Sequence, residues 1–308
     1  RRRALVSTAD GHPLRAAGFM FASTLSFGVM AIAIRLASAS LHTFEIAFFR
    51  NFFGLLAVLP LLVGTGRAAL RTTQLPKYFV RCAIGIGSML AGFWAIGHLP
   101  LAQAISLSYS TPVFVTIAAA VFLHEHVRAR RWAAVALGFL GVLVIVRPGS
   151  ADFSTGTLIA LLAAVLSGIV AIQIKQLSRV DAANTIVLYT YLFWVPMSLL
   201  PALFVWEWPV GIAWLWVVAA GLFGTGGQVL WTHALKLGEV SALTPISFMQ
   251  LPLVAAAGWL LFDEAVDAWT WVGAAIILAA NAYIAHREAV LSRRAATAAP
   301  SAGAKPGE

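Results

Sequence analysis

The chain has 308 residues, 60% of them hydrophobic and 11% charged, and a mean hydropathy of +0.87. So apolar a composition excludes a soluble domain of this size and marks a polytopic membrane protein. The formal charge of +9 requires no nucleic-acid partner, because its distribution along the chain accounts for it.

The segment 1–13 is basic and leads into an apolar run of full spanning length. With no small-residue cleavage site, that run reads as a first helix and not as a signal peptide. Runs of about 20 residues, long enough to cross a bilayer, are expected at Ala16 to Leu36, Phe44 to Val63, Tyr78 to Gly97, Ala102 to Leu123 and Trp132 to Val146. Five more follow, at Gly156 to Ile174, Asn184 to Val205, Ala213 to Leu235, Val240 to Phe262 and Ala268 to Ala285. Helices close their own backbone hydrogen bonds and are the natural spanning structure. The connections are short and leave little room for a soluble domain. The tail 288–308, rich in Ala, Pro and Gly toward its end, is expected to be a disordered cytoplasmic segment. The single cysteine, Cys82, forms no intramolecular disulfide and reads as a packing residue.

The ten spans fall into two blocks of five. Ala31-Ile32-Ala33-Ile34-Arg35 is answered by Ala171-Ile172-Gln173-Ile174-Lys175, Leu59-Pro60 by Leu200-Pro201, and Glu125 and Trp132 by Glu264 and Trp271, at separations of 139 to 141 residues. A block with an odd number of spans must enter the bilayer inverted the second time. Inverted repeats are the mark of secondary transporters, whose substrate lies between the halves near the midplane. The predicted fold is therefore an all-α membrane protein of ten helices, with repeats over 14–147 and 155–287.

Charge sets the orientation. With the N-terminus in the cytoplasm, nearly all of the 21 Lys and Arg lie in inner segments, Lys77 and Arg81 among them, leaving Arg35 and Arg147 outside and Arg50 within a span. The positive-inside rule puts both termini in the cytoplasm.

The two repeats, each closing its fourth span on an acid (Phe122-Leu123-His124-Glu125 and Leu261-Phe262-Asp263-Glu264), resemble the drug/metabolite transporter superfamily, specifically its EamA-type members. Leu107-Ser108-Tyr109-Ser110-Thr111-Pro112 and Phe49-Arg50-Asn51 add to the resemblance, which covers Leu14 to Arg287. It implies a monomer or homodimer in the inner membrane that moves amino acids or other small metabolites by alternating access. In several members the direction is export. The path would be lined by spans one, three, four, six, eight and nine. Pro112 and Pro252 miss each other by one position, so the kinks of the fourth and ninth spans need not be equivalent.

Counting about 1.5 Å per residue from the span centres places Tyr109, Ser110, Thr111, Ser247 and Gln250 near the midplane. A proline there frees a carbonyl, which is tolerated where protein or a cavity satisfies it. These residues are the first substrate-binding candidates. The alternative is that their hydroxyls bond back to their own helices. Ser26 with Gly28 and Ser167 with Gly168 stand at matching places in the two repeats and read as close-packing positions. Trp94 with His98, and Trp231 with His233, lie toward opposite ends and either gate the path, stack on an aromatic ligand, or, for the tryptophans, belong to the interfacial belt. Trp231 and His233 are expected to be buried. Arg50, two turns inside its span, carries a penalty of about 3 kcal/mol unless paired or watered. It either holds a substrate carboxylate or pairs with carbonyls or Glu45. Gln173 either contacts substrate or joins helices. The glycines of the eighth span, Gly221, Gly224, Gly226 and Gly227, form a hinge or a packing face. Gly138, Gly141 and Gly273 offer small faces for packing within or between protomers.

No Asp or Glu falls in the middle of a span, which disfavours proton-coupled expulsion of cations and favours facilitated diffusion or exchange. An enzyme would need a convergent nucleophile and base or a ligand set, and His124-Glu125-His126 supplies neither. No cofactor, metal or nucleic acid is expected. Amino acids, aromatic ones through Trp94, Tyr109, Trp231 and Phe248, are the preferred substrates; an uptake carrier for a larger cofactor-like metabolite and a flippase for a lipid-linked metabolite are the alternatives.

Overall fold

The computed structural model describes residues 13–63, 72–122, 129–149, 154–178, 180–181, 183–237, 243 and 246–298. The basic residues 1–3, the His124-Glu125-His126 triplet and the last ten residues of the expected tail lie outside them.

The first repeat comprises α1 (Pro13–Ala37), α2 (Thr43–Val63), α3 (Leu75–His98), α4 (Leu101–Ser108), α5 (Thr111–Phe122) and α6 (Ala129–Val146). The second comprises α7 (Thr155–Leu177), α8 (Ala183–Ala202), α9 (Ala213–Leu237), α10 (Gln250–Phe262) and α11 (Ala268–Ala298). Eight segments are long and apolar enough to cross a membrane, Leu101–Val121 counting as one across α4 and α5. The shorter apolar helices Trp132–Val146 and Gln250–Phe262 occupy the fifth and ninth places. Among the described residues there is no strand, and the fold is the expected all-α inverted repeat.

The packing obeys the inversion. Helix α1 lies chiefly against α9, and its counterpart α7 against α3. The helices α2 and α8, and α6 and α11, pair across the pseudo-twofold. Alanine fills much of the interior, as at Ala31, Ala47, Ala104, Ala220 and Ala274, because small side chains let helix backbones approach where no water drives them together. The outward faces stay apolar, as with Leu137, Phe139 and Leu140 of α6, which suits a hydrocarbon solvent.

Glycine serves this packing at matched positions. A Cβ on Gly28 of α1 would stand 2.4 Å from Leu253 of α10, and one on Gly168 of α7 would stand 3.0 Å from the Phe114 backbone of α5. The first helix of each repeat therefore presses on the fourth span of the other. Helix α9 runs unbroken through its glycines; Gly221 meets Phe53 of α2, and Gly227 meets Phe27 of α1, so these two belong to a packing face and not to a hinge. Gly141 and Gly273 face each other where α6 crosses α11, and Gly138 meets Val113. All three small faces pack within the protomer.

The fourth span is broken outright. Tyr109 and Ser110 form a turn between α4 and α5, and Phe248 and Met249 form one before α10. The Ser110 N–H donates to Leu107 O at 3.0 Å and the Met249 N–H to Ile246 O at 3.1 Å, the same bond 139 residues on. The Phe114 N–H reaches Ser110 O and the Leu253 N–H reaches Met249 O, each at 3.4 Å. The two breaks are thus equivalent although the prolines are not. In each repeat the proline omits a donor that its neighbour's counterpart supplies: Val113 donates to Ser110 where Pro252 has no N–H, and Leu251 to Phe248 where Pro112 has none.

Helix α11 continues to Ala298, well into the segment expected to be disordered. Its Ala, Leu, Arg and Glu residues are strong helix formers, and a helix already nucleated in the bundle extends through them without an apolar face.

Candidate functional site

A cavity of about 420 Å³ opens between α1, α3, α4, α5, α7, α8 and α10. Its apolar walls include Phe27, Met30, Met89, Phe93 and Trp194, and its polar ones are Ser88, Ser108, Thr111, Ser167 and Gln250. None of the described wall residues is charged. The α3 wall includes a helical stripe of small and polar residues, Gly85, Ser88 and Gly92, spaced by three and four. That spacing is the sequence signal that marks Ser88. Its hydroxyl donates to Ala163 O at 2.9 Å and shares a 2.7 Å hydrogen bond with the Ser167 hydroxyl, joining α3 to α7.

Of the ten candidates read from sequence, Thr111 and Gln250 line this cavity. Tyr109 stands beside Gln250. Its hydroxyl donates to Ser247 O at 2.9 Å and lies 3.3 Å from Gln250 Oε1, and its ring meets Phe248 edge-on. The break in one repeat is thereby tied to the break in the other. Asn281 of α11 donates to Tyr109 O at 2.7 Å and satisfies a carbonyl at the break; nothing in its local sequence announces that role. Ser110 is fully buried and bonds back to Leu107 O at 2.6 Å. Thr111 does likewise with Ser108 O at 2.7 Å while still facing the cavity.

The other candidates lie elsewhere. Trp94 stacks flat on His98, ring centroids 3.9 Å apart. Trp231 is 40% exposed, and His233 is exposed beside Phe19 with Nδ1 2.8 Å from Val229 O. Neither is buried as expected, because depth along α9 does not fix which way a residue faces. Gln173 lines a separate cavity of about 250 Å³ with Lys77 and Gln176. Its Oε1 has no partner. Ser26 packs near Gly227 as expected, whereas Ser167 faces the cavity.

Two arginines stand one side chain behind the walls. Arg50 donates to Asn51 Oδ1 at 3.1 Å and reaches the Gly224 position that the wall residue Met30 also touches. It does not pair with Glu45, whose carboxylate accepts instead from the N–H groups of Glu207 at 2.5 Å and His42 at 3.0 Å. Arg81, assigned from sequence to an inner segment, is 5% exposed within α3. It lies beside Trp194 and donates to Thr190 Oγ1, because α3 begins at Leu75 and six residues carry it well inside. Neither arginine has a carboxylate partner among the described residues.

The end of the bundle holding the C-termini of α1, α3 and α10 is clasped by charge. Arg35 pairs with Glu264 at 2.5 Å, and it donates to Gly97 O and, at 3.2 Å, to the carbonyl of the wall residue Ile96. The other Glu264 oxygen accepts from the Leu101 N–H at 2.7 Å. Pro100 gives α4 no side-chain cap, so this carboxylate satisfies one of its orphan donors and suits the helix dipole. It is aimed by the turn ending α10, where Asp263 takes a left-handed φ of 54° and the Glu264 N–H bonds Gly258 O at 3.0 Å.

Two inverted halves around an uncharged cavity, one end clasped by an ion pair, are the arrangement of a multi-pass membrane carrier. Residues 14–147 and 154–285 match the EamA-like transporter family, and the chain belongs to it. It is 32% identical over 288 residues to the riboflavin transporter of Vibrio cholerae, covering 92% of this chain and 97% of that one. It is also 26% identical over 271 residues to the S-adenosylmethionine uptake transporter of Rickettsia bellii, covering 88% and 93%. A solved structure shares the fold with a TM-score of 0.62 at 22% identity, over 91% of this chain and 98% of that one.

Proposed function

We propose that the protein carries an uncharged, flat, cofactor-sized metabolite of the riboflavin kind across the inner membrane by alternating access, with both termini in the cytoplasm. The observation that carries this is the cavity wall: aromatic and thioether surfaces for a ring, hydroxyls and an amide for its polar edge, and no charge among the described wall residues. Its volume falls within the roughly 300–1,000 Å³ usual for small-molecule sites. Likeness to the Vibrio cholerae riboflavin transporter over nearly the whole chain supports the same class.

Amino acids have less support. Their ammonium and carboxylate groups would lose water without gaining a charged partner on the described walls. Of the aromatic residues behind that preference, Trp94 and Trp231 stand away from the cavity. S-adenosylmethionine would bring a fixed positive charge toward the buried Arg81 and the part-buried Arg50. The orientation is supported at the clasped end, where the two cations expected outside are each paired, Arg35 with Glu264 and Arg147 with Asp267.

Counterflow in proteoliposomes tests the reading, with labelled riboflavin beside a panel of labelled amino acids and with and without a pH gradient. Saturable riboflavin counterflow that ignores the gradient is expected. Counterflow of amino acids with none of riboflavin would overturn the proposal.

A further inference from the structure

Helix α3 places Arg81, Gly85, Ser88 and Gly92 on one face, at spacings of four, three and four. From Gly85 onward that face is cavity wall. Arg81 is the next position along it, one turn beyond the wall, with Trp194 beside both. Gly85 makes room for the indole, since a Cβ there would stand 2.9 Å from Trp194 Cζ2. The indole N–H donates to Cys82 O at 3.2 Å, fixing the ring against α3. The Arg81 guanidinium carbon lies 5.7 Å from the Trp194 ring centroid.

The guanidinium is held but not saturated. Nη1 donates to Thr190 Oγ1 and lies 3.7 Å from Cys82 Sγ. Thr190 in turn donates to Ile186 O at 2.6 Å, so its hydroxyl both anchors the arginine and is itself fixed. Nε is buried without a partner. A cation left uncompensated in a span is costly and by default functional. Guanidinium and indole together offer a flat ring a stacking surface and a planar fork of donors.

We propose that Trp194 and Arg81 form a subsite for the acceptor-bearing edge of a flat heteroaromatic substrate, the indole stacking on the ring and the guanidinium donating to its carbonyl oxygens. This rests on the reading of the protein as a carrier of such a metabolite. The same charge repels cationic solutes that would otherwise fit the cavity.

The test is riboflavin counterflow in wild type, Arg81→Gln and Trp194→Leu, repeated with analogues bearing sulfur, a poorer acceptor, in place of each ring carbonyl oxygen in turn. Arg81→Gln is expected to raise the half-saturation concentration for riboflavin about tenfold or more, the loss of a hydrogen bond to a charged group, with a smaller effect on maximal rate. At least one sulfur analogue that binds wild type more weakly should bind Arg81→Gln no worse than riboflavin does. Trp194→Leu should weaken riboflavin and all analogues alike. Wild-type half-saturation in Arg81→Gln, or the same analogue penalties in both proteins, would overturn the subsite. If Arg81→Gln does not fold, Arg81→Lys, which keeps the charge but not the fork, is read in the same way: a smaller analogue penalty supports the subsite and an unchanged one overturns it. Failure of wild type to move riboflavin would instead sink the functional reading, before any variant is compared.

Discussion

Gly28 and Gly168 hold matching places in the two repeats but should answer the same substitution differently. A Cβ on Gly28 meets the tip of the Leu253 side chain, which can move aside; one on Gly168 meets the backbone of Phe114, which cannot. Gly168→Ala is expected to lose about 1–3 kcal/mol to overpacking, and Gly28→Ala less than about 1 kcal/mol, despite the shorter distance at Gly28. Thermal unfolding in detergent checks the order. Tyr109→Phe removes the donor to Ser247 O and should lower stability by about 0.5–1.5 kcal/mol, the net worth of one hydrogen bond. Gln250→Ala should instead weaken substrate binding while folded yield stays near wild type, as saturation of transport would reveal. Sequence reached Thr111 and Gln250 by counting depth. It did not reach Trp194 as a cavity wall or the burial of Arg81, because a spacing gives the face of one helix but not the side chain that a second helix lays across it. It misread His233 for the same reason: depth along a span says nothing of which way the residue points.

At the scale of elements, the repeat and eight of the ten spans were legible as continuous apolar runs, whereas the full breaks in the fourth and ninth were expected only as kinks. Proline signals a missing donor; whether the helix bends or stops depends on partners such as Asn281 and the facing turn, which come from distant sequence. The clasp was equally hidden. Arg35 and Glu264 are 229 residues apart, and only the fold brings the ends of α1, α3, α4 and α10 together. Glu264→Gln should lower stability on the order of 2 kcal/mol, short of the ~3–5 kcal/mol of a fully buried pair because both groups keep some solvent. Exchanging the two residues, Arg35→Glu with Glu264→Arg, should recover only part of it, since an arginine at 264 cannot accept from the Leu101 N–H. Unfolding midpoints of the single and double variants measure both effects.

For the whole molecule, the proposed orientation is open to direct labelling. In a Cys82→Ser background, Val210→Cys, on the exposed connection between α8 and α9, should react with a membrane-impermeant thiol reagent applied to intact cells. Ser301→Cys should react only after lysis. The reverse pattern would invert the topology. Inversion also gives the misaligned prolines their meaning. Aligned by residue identity, the two fourth spans differ where they matter most; aligned by which carbonyl goes to which amide, they are copies. The interruption is thus a property of the backbone that either of two adjacent prolines can maintain. Moving the ring from position 112 to 113, by Pro112→Leu with Val113→Pro, would write the second repeat's solution into the first, and the turn at Tyr109 and Ser110 should survive the exchange.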